Sequence, residues 1–189
     1  MSTRKSSLFV FLLALAGTVL ACTIHLGGPG YPDQTIPVST DALLSLQQQV
    51  QAAATEGAPG GRLTLVINET QLTSYVASKL QAQSDPFITD PQVFLRDGQI
   101  KLYGTARSGF FTANVRIILS AAPNEQGKFI IELVEADFGP LPVPATLKDV
   151  VTAIMTEAYT GILGPIASGF RLEGILIADG LMALTGRTQ

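Results

Sequence analysis

The chain contains one cysteine, Cys22, and one histidine, His25, three residues apart. Thiol and imidazole groups serve as nucleophile and base in covalent catalysis, and both are ordinary zinc ligands. No cysteine or histidine follows His25, so the rest of the sequence cannot supply a Cys–His pair, a Ser–His–Asp triad or a usual zinc site. This pair of residues therefore predicts neither catalysis nor metal binding.

The best acidic cluster is formed by Glu132, Glu135 and Asp137. Glu135 and Asp137 share one face of a predicted strand, where two carboxylates can hold Ca²⁺ or act together in acid–base chemistry. The competing interpretation, which we prefer, is that they solvate the exposed end of the strand. Since the chain also lacks GxSxG, P-loop and GxGxxG motifs, we predict a protein that is not an enzyme and has no metal site and no cofactor.

The residues before Cys22 have the layout of an export signal. Arg4 and Lys5 precede the uncharged run Leu8 to Leu20, and the small residue Ala21 follows. As a helix this run is about 20 Å long, against roughly 30 Å of bilayer hydrocarbon. Residues 1–21 are therefore predicted to be a signal peptide rather than a permanent membrane span.

The sequence Val19-Leu20-Ala21-Cys22 resembles the lipobox of bacterial lipoproteins. The resemblance implies diacylglyceryl transfer to the Cys22 thiol, cleavage after Ala21 and acylation of the new amine by a chain such as palmitate. Two or three acyl chains anchor stably, at about 0.8 kcal/mol per buried CH₂. The expected location is the bacterial cell envelope, on the extracytoplasmic side of a membrane. A plain secretory signal followed by an incidental cysteine is the alternative.

Charge and composition limit the possible partners. Cleavage after Ala21 removes two cations and no acid, which leaves 10 Lys and Arg against 15 Asp and Glu, a net charge of −5. This charge does not favour nucleic acid. Because 47% of the residues are hydrophobic and 14% are charged, we expect one packed core. The predicted organisation is a flexible tether at 22–38, rich in glycine and proline, and a single α+β domain at 39–189.

Periodicity and turn chemistry predict the elements of this domain. Apolar residues at three- and four-residue steps indicate helices, period-two alternation indicates strands, and Asp-Gly pairs indicate hairpins with type I′ turns. The predicted elements are helices at 39–56, 68–80 and 144–167, strands at 63–67, 111–119 and 128–138, and hairpins at 92–104 and 175–186. The two hairpin sequences align at Asp, Gly, Leu and a final Gly, which tight-turn chemistry explains as readily as duplication does.

The order of these elements, with the segments INETQLTSYVASKL (67–80) and GPLPVP (139–144), resembles the YpmS-like and LmeA-like bacterial envelope proteins near the TULIP superfamily of lipid carriers. The resemblance covers roughly 62–187 and does not include the helix at 39–56. It implies a long curved antiparallel sheet that packs on the long C-terminal helix and leaves an apolar groove. No catalytic residues carry over.

Two functions remain open at this point. One is a membrane-anchored lipoprotein that binds a lipid or another apolar ligand in a groove between the sheet and the helix at 144–167. The other is a non-catalytic scaffolding or protein-interaction lipoprotein, of unknown partner, whose apolar surfaces form a closed core. The residues expected to line the groove are Phe111, Val115, Ile117, Val151, Ile154, Met155 and Ile162.

Overall fold

A computed structural model of the 189-residue chain describes residues 23–56, 61–84, 86–143 and 170–188. In chain order the elements are β1 (Ile24–His25), α1 (Thr40–Glu56), β2 (Arg62–Asn68), α2 (Glu69–Gln81), β3 (Ile88–Arg96), β4 (Gln99–Ser108), β5 (Phe111–Pro123), β6 (Phe129–Asp137), β7 (Phe170–Ala178) and β8 (Leu181–Thr188). Within these described residues no helix is both long and apolar enough to cross a bilayer.

Five strands form the main sheet, in the order β1-β5-β4-β3, with β6 also paired to β5. Period-two alternation explains β5: Ala113, Val115 and Ile117 are buried, whereas Asn114 and Arg116 on the opposite face are partly exposed. The buried side of the main sheet is called its inner face below. Strands β3, β4, β5 and β6 pair antiparallel, as the alternation predicts, whereas the two-residue β1 pairs parallel with β5.

Both Asp-Gly pairs form the predicted tight turns. The φ angles are +57° at Asp97 and +74° at Gly98, and +49° at Asp179 and +83° at Gly180. Positive φ at both central residues is the signature of a type I′ turn, whose twist matches that of the flanking strands. The prediction of two type I′ hairpins is confirmed.

The two described helices begin and pack as their sequences indicate. In α1 the buried positions Leu46, Val50 and Ala53 follow helical spacing. At the start of α2 the Asn68 side chain accepts a bond from the Gln71 N–H at 2.9 Å, and the Gln71 side chain accepts one from the Asn68 N–H at 3.0 Å. This reciprocal arrangement is the predicted capping box.

Helix α2 also seals the free edge of β3. The Val93 N–H donates to Thr73 Oγ1 at 3.0 Å, and the Leu95 N–H donates to Glu69 Oε1 at 2.8 Å. Arg96 forms an ion pair with the same Glu69 carboxylate. Side chains of the helix thus satisfy backbone donors that an edge strand would otherwise expose.

The closing hairpin joins a second sheet, which corrects the expectation of one long sheet. Strands β2, β8 and β7 form a small three-stranded sheet, because β8 pairs antiparallel with β2 along Arg62–Asn68. The small sheet crosses one end of the main sheet: Leu172 N–H donates to Gly127 O at 2.8 Å, and Gly180 N–H donates to Leu95 O at 3.0 Å. The α+β class and the antiparallel pairing agree with prediction. The helix predicted at 144–167 lies outside the described residues.

The glycine-rich N-terminal segment contacts the main sheet, whereas its composition predicts a flexible tether. Ile24 N–H donates to Phe110 O at 2.8 Å, Asn114 N–H donates to Gly27 O at 2.8 Å, and Tyr31 Oη donates to Asp90 O at 2.6 Å. Residues 24–36, called the strap below, thus cross from β5 to β3 over the outer face. Composition does not predict this because the pairing partners are more than 50 residues away.

Candidate functional site

The predicted ligand-contacting residues of β5 share the inner face of the main sheet. Val115 and Ile117 pair across the ladder with Gly104 and Leu102, and they are 0% and 3% exposed within the hydrophobic core. Phe111 has the same parity but stands at the end of the strand, where 43% of it is exposed. The inner face therefore runs from a packed core to an open, apolar end.

The other predicted lining residues cannot be compared with this geometry. Val151, Ile154, Met155 and Ile162 lie outside the described residues. Cys22 also lies outside them, one residue before the first described position. Their proposed roles stay predictions.

The predicted acidic pair forms part of a surface ion-pair cluster on β5 and β6. Arg116 Nη2 lies 2.6 Å from Glu135 Oε1 and 4.0 Å from Asp137 Oδ2. The hydrogen bond that Arg116 donates to Glu135 raises the pKa of the Arg116 guanidinium, and the charges of both carboxylates act in the same direction. Arg116 therefore offsets one of the two negative charges, and both carboxyl groups remain partly exposed to solvent at the surface of the sheet.

His25 lies on the surface of the strap, and its Nδ1 is 3.4 Å from the hydroxyl of Thr112. In the described part of the chain, no group of three or more His, Cys, Asp and Glu side chains is placed to hold a metal ion. His25 therefore contacts a neutral hydroxyl in an exposed position.

An exposed apolar cluster, which sequence reasoning missed, surrounds the open end of the inner face. It consists of Ile24 (53% exposed), Leu26 (38%), Phe110 (58%) and Phe111 (43%) and is called the Phe110 tip below. Ile24 pairs directly with Phe111, so the two side chains lie on the same face of the sheet. The available signal was Phe110-Phe111 directly after Ser108-Gly109, because paired aromatic residues are unusual where a hairpin turns in water.

Comparison with solved structures gives only distant likenesses. A solved structure titled "Crystal structure of lipopolysaccharide binding protein" is similar to this chain with a TM-score of 0.30 and 8% sequence identity, over 79% of this chain. The chain spans about half of that protein, since the match covers 46% of its length. No protein-family model and no curated protein matches the sequence. A likeness this distant transfers neither a ligand nor a site.

The geometry itself limits what the described surfaces can do. The inner face offers aliphatic and aromatic side chains, whereas the charged groups of β5 and β6 lie on the outer face and pair with each other. Such an apolar face can pack against an aliphatic chain or another apolar body.

Proposed function

We propose that this chain is a bacterial envelope lipoprotein, anchored to a membrane through Cys22, that binds a lipid or another apolar ligand along the inner face of its main sheet. The observation that carries the ligand proposal is the inner face itself, which is apolar along β5 and open to solvent at Phe111. A TULIP-like groove completed by the helix at 144–167 is the architecture proposed for the bound state.

Burial of an acyl chain on this surface is favourable because each CH₂ removed from water contributes about 0.8 kcal/mol. A ligand that continues beyond the packed part of the face covers Phe111, which is otherwise left in water. The ligand headgroup would stay at the open end, because Val115 and Ile117 lie in the hydrophobic core, where a polar headgroup would lose its hydration.

The anchoring part of the proposal is tested by Cys22→Ser. The substitution removes the acylated thiol, so the protein is expected to lose the lipid label and to leave the processed membrane-bound fraction. Metabolic labelling with a fatty-acid analogue, followed by fractionation, measures both effects. A wild-type protein that incorporates no label would contradict the lipoprotein assignment.

The ligand part is tested on the isolated protein by native mass spectrometry for co-purified lipid and by displacement of a fluorescent fatty-acid probe. Phe111→Ser is expected to weaken probe binding about tenfold, since a half-exposed aromatic ring contributes on the order of 1 to 2 kcal/mol when a ligand covers it. Leu176→Ser is the matched control, because Leu176 is 67% exposed on β7, away from the inner face of the main sheet. It should bind the probe like the wild type.

A scaffolding lipoprotein with a closed core is the second candidate, and one observation favours it. Val115 and Ile117 are already fully packed by protein atoms. In that case the wild type binds no probe and carries no lipid, and Val115→Asn costs several kcal/mol because the amide is buried without a partner. Probe binding by the wild type would exclude this candidate.

A further inference from the structure

The Phe110 tip lies at the end of the main sheet opposite to the small sheet. The small sheet contacts the β5–β6 turn at Gly127 and the β3–β4 hairpin at Leu95, whereas the tip is formed by β1 and the β4–β5 turn. Two phenylalanines and two aliphatic residues are partly exposed there, on two segments that backbone hydrogen bonds join directly. An apolar cluster of this kind costs free energy in water and marks a surface that is covered in function.

The length of the chain before the strap decides what covers the tip. Only Thr23 separates Cys22 from Ile24, and Ile24 is held to β5 by the bond from its N–H to Phe110 O at 2.8 Å. Two Cα-to-Cα steps of about 3.8 Å place the Cys22 Cα within roughly 8 Å of the Ile24 Cα. A lipid on Cys22 therefore brings the bilayer surface to the tip, because the strap leaves no free tether between them.

The charges near the tip suit a bilayer surface. No acidic residue occurs in 23–32 or in 98–123, the two segments that form the tip and its flanks. Arg107 is exposed on the same hairpin, and its Nε donates to Gly109 O at 3.2 Å. Asp33 in the strap and Asp90 on β3 are the nearest acidic residues along these strands, and neither belongs to the Phe110 tip, so the apolar cluster itself presents no negative charge to anionic headgroups.

We infer that the Phe110 tip inserts its aromatic and aliphatic side chains into the membrane leaflet that holds the Cys22 acyl chains. The main sheet then stands with this end against the bilayer, and the open end of its inner face meets the lipid. The inference rests on the proposed acylation of Cys22. Ile24 and Phe111 lie on the same face as Ala113 and Val115, so an acyl chain can pass from the bilayer to the inner face without crossing a polar surface.

The test uses the full-length chain, expressed with its lipid and reconstituted into vesicles of phosphatidylethanolamine and phosphatidylglycerol. Acylation blocks the Cys22 thiol, so a second cysteine is labelled uniquely. Ser108→Cys places an environment-sensitive fluorophore beside Phe110. Gln126→Cys places it at the opposite end of β5 as the matched control. Spin-labelled lipids then measure contact of each fluorophore with the bilayer, and mass spectrometry records the acyl chains.

The expected result is strong quenching at position 108 and little at position 126. Adding Phe110→Ser and Phe111→Ser to the Ser108→Cys protein should lower the quenching severalfold, whereas Leu176→Ser should not change it. Equal quenching at both positions, or none at either, in a protein whose acyl chains are present overturns the docking inference and leaves the anchor intact. A full-length protein that carries no acyl chains overturns both the docking inference and the proposed anchor.

Discussion

The β3–β4 and β7–β8 hairpins have the same local geometry in different surroundings. Leu95 pairs with Ile100 in the first and Ile177 pairs with Met182 in the second, so the strands have equal register on either side of their type I′ turns. The partner strand of each hairpin also shifts register opposite its final glycine. Equal sequence pattern thus produced equal register around the turns, whereas the two bulges differ, since Asp90 in the first has φ +49° and no residue of the second has positive φ.

The surroundings of the two turns differ. A side chain at Gly98 would meet no atom within 4 Å, whereas a Cβ at Gly180 would lie 3.2 Å from Arg96 Nη1 and 3.4 Å from the Glu69 carboxylate. The second turn fills the junction of α2 with β3, and the first one projects into solvent. Local chemistry therefore sets the shape of a turn, and its neighbours set how much the fold depends on it.

The largest effect is expected at the final glycines. A Cβ at Gly186 would press against the Arg171 carbonyl oxygen and the Phe170 ring, whereas a Cβ at Gly104 would press against the Ile88 side chain and lie 3.0 Å from the Thr89 carbonyl oxygen, a milder backbone clash. Gly186→Ala should lower the free energy of unfolding by about 3 kcal/mol and Gly104→Ala by about 1 kcal/mol. Urea unfolding measures both losses. An unchanged slope of the unfolding free energy against urea concentration is the control for two-state behaviour. Equal losses of stability would show that both sites accommodate the added Cβ equally well.

An intermediate effect is expected at the turns. Gly98→Val should cost about 1 to 2 kcal/mol, because only the positive φ penalises a β-branched residue there. Gly180→Val should cost about 1 kcal/mol more, because it also displaces the Arg96–Glu69 ion pair. Thermal melting of the two variants beside the wild type provides the measurement. A larger loss for Gly98→Val would contradict the contrast drawn between the two turns.

The smallest effect concerns the strap, which covers the outer face of the first hairpin through Tyr31, with its ring centroid 6.1 Å from that of Tyr103. Burial raises the pKa of Tyr31 above its usual value of 10.0, and the charge of Asp90 raises it further. The folded state thus keeps a proton that the unfolded state releases, so this contribution is present below pH 10 and is lost as pH rises through the folded pKa.

Tyr31→Phe removes the hydrogen bond to the Asp90 carbonyl and should cost up to about 1 kcal/mol at pH 8. The difference between wild type and variant should shrink at pH 11, where the tyrosine ionises. Denaturant unfolding at the two pH values tests this, and the variant corrects for the other tyrosines. A stability difference between wild type and variant that grows with pH would contradict a raised pKa for Tyr31.

Features that depend on near neighbours in sequence were predictable. The capping box of Asn68 and Gln71 and the turns at Gly98 and Gly180 each involve residues within three positions, so local dihedral and hydrogen-bond preferences specify them. The period-two pattern of β5 likewise placed Val115 and Ile117 on the buried face. The role of Glu69 was not predictable, because its partners Leu95 and Arg96 are 26 and 27 residues away.

By itself, the sequence determined which side chains exist to do chemistry and where the backbone turns, caps and alternates, since these depend on residue type and on contacts a few positions apart. Only the tertiary structure decided that β8 pairs with β2, that the strap lies on the main sheet and that Phe110 and Phe111 stand exposed beside Ile24. The physical reason is that free backbone donors and acceptors pair with whatever strand edge the fold brings near, which no local pattern encodes.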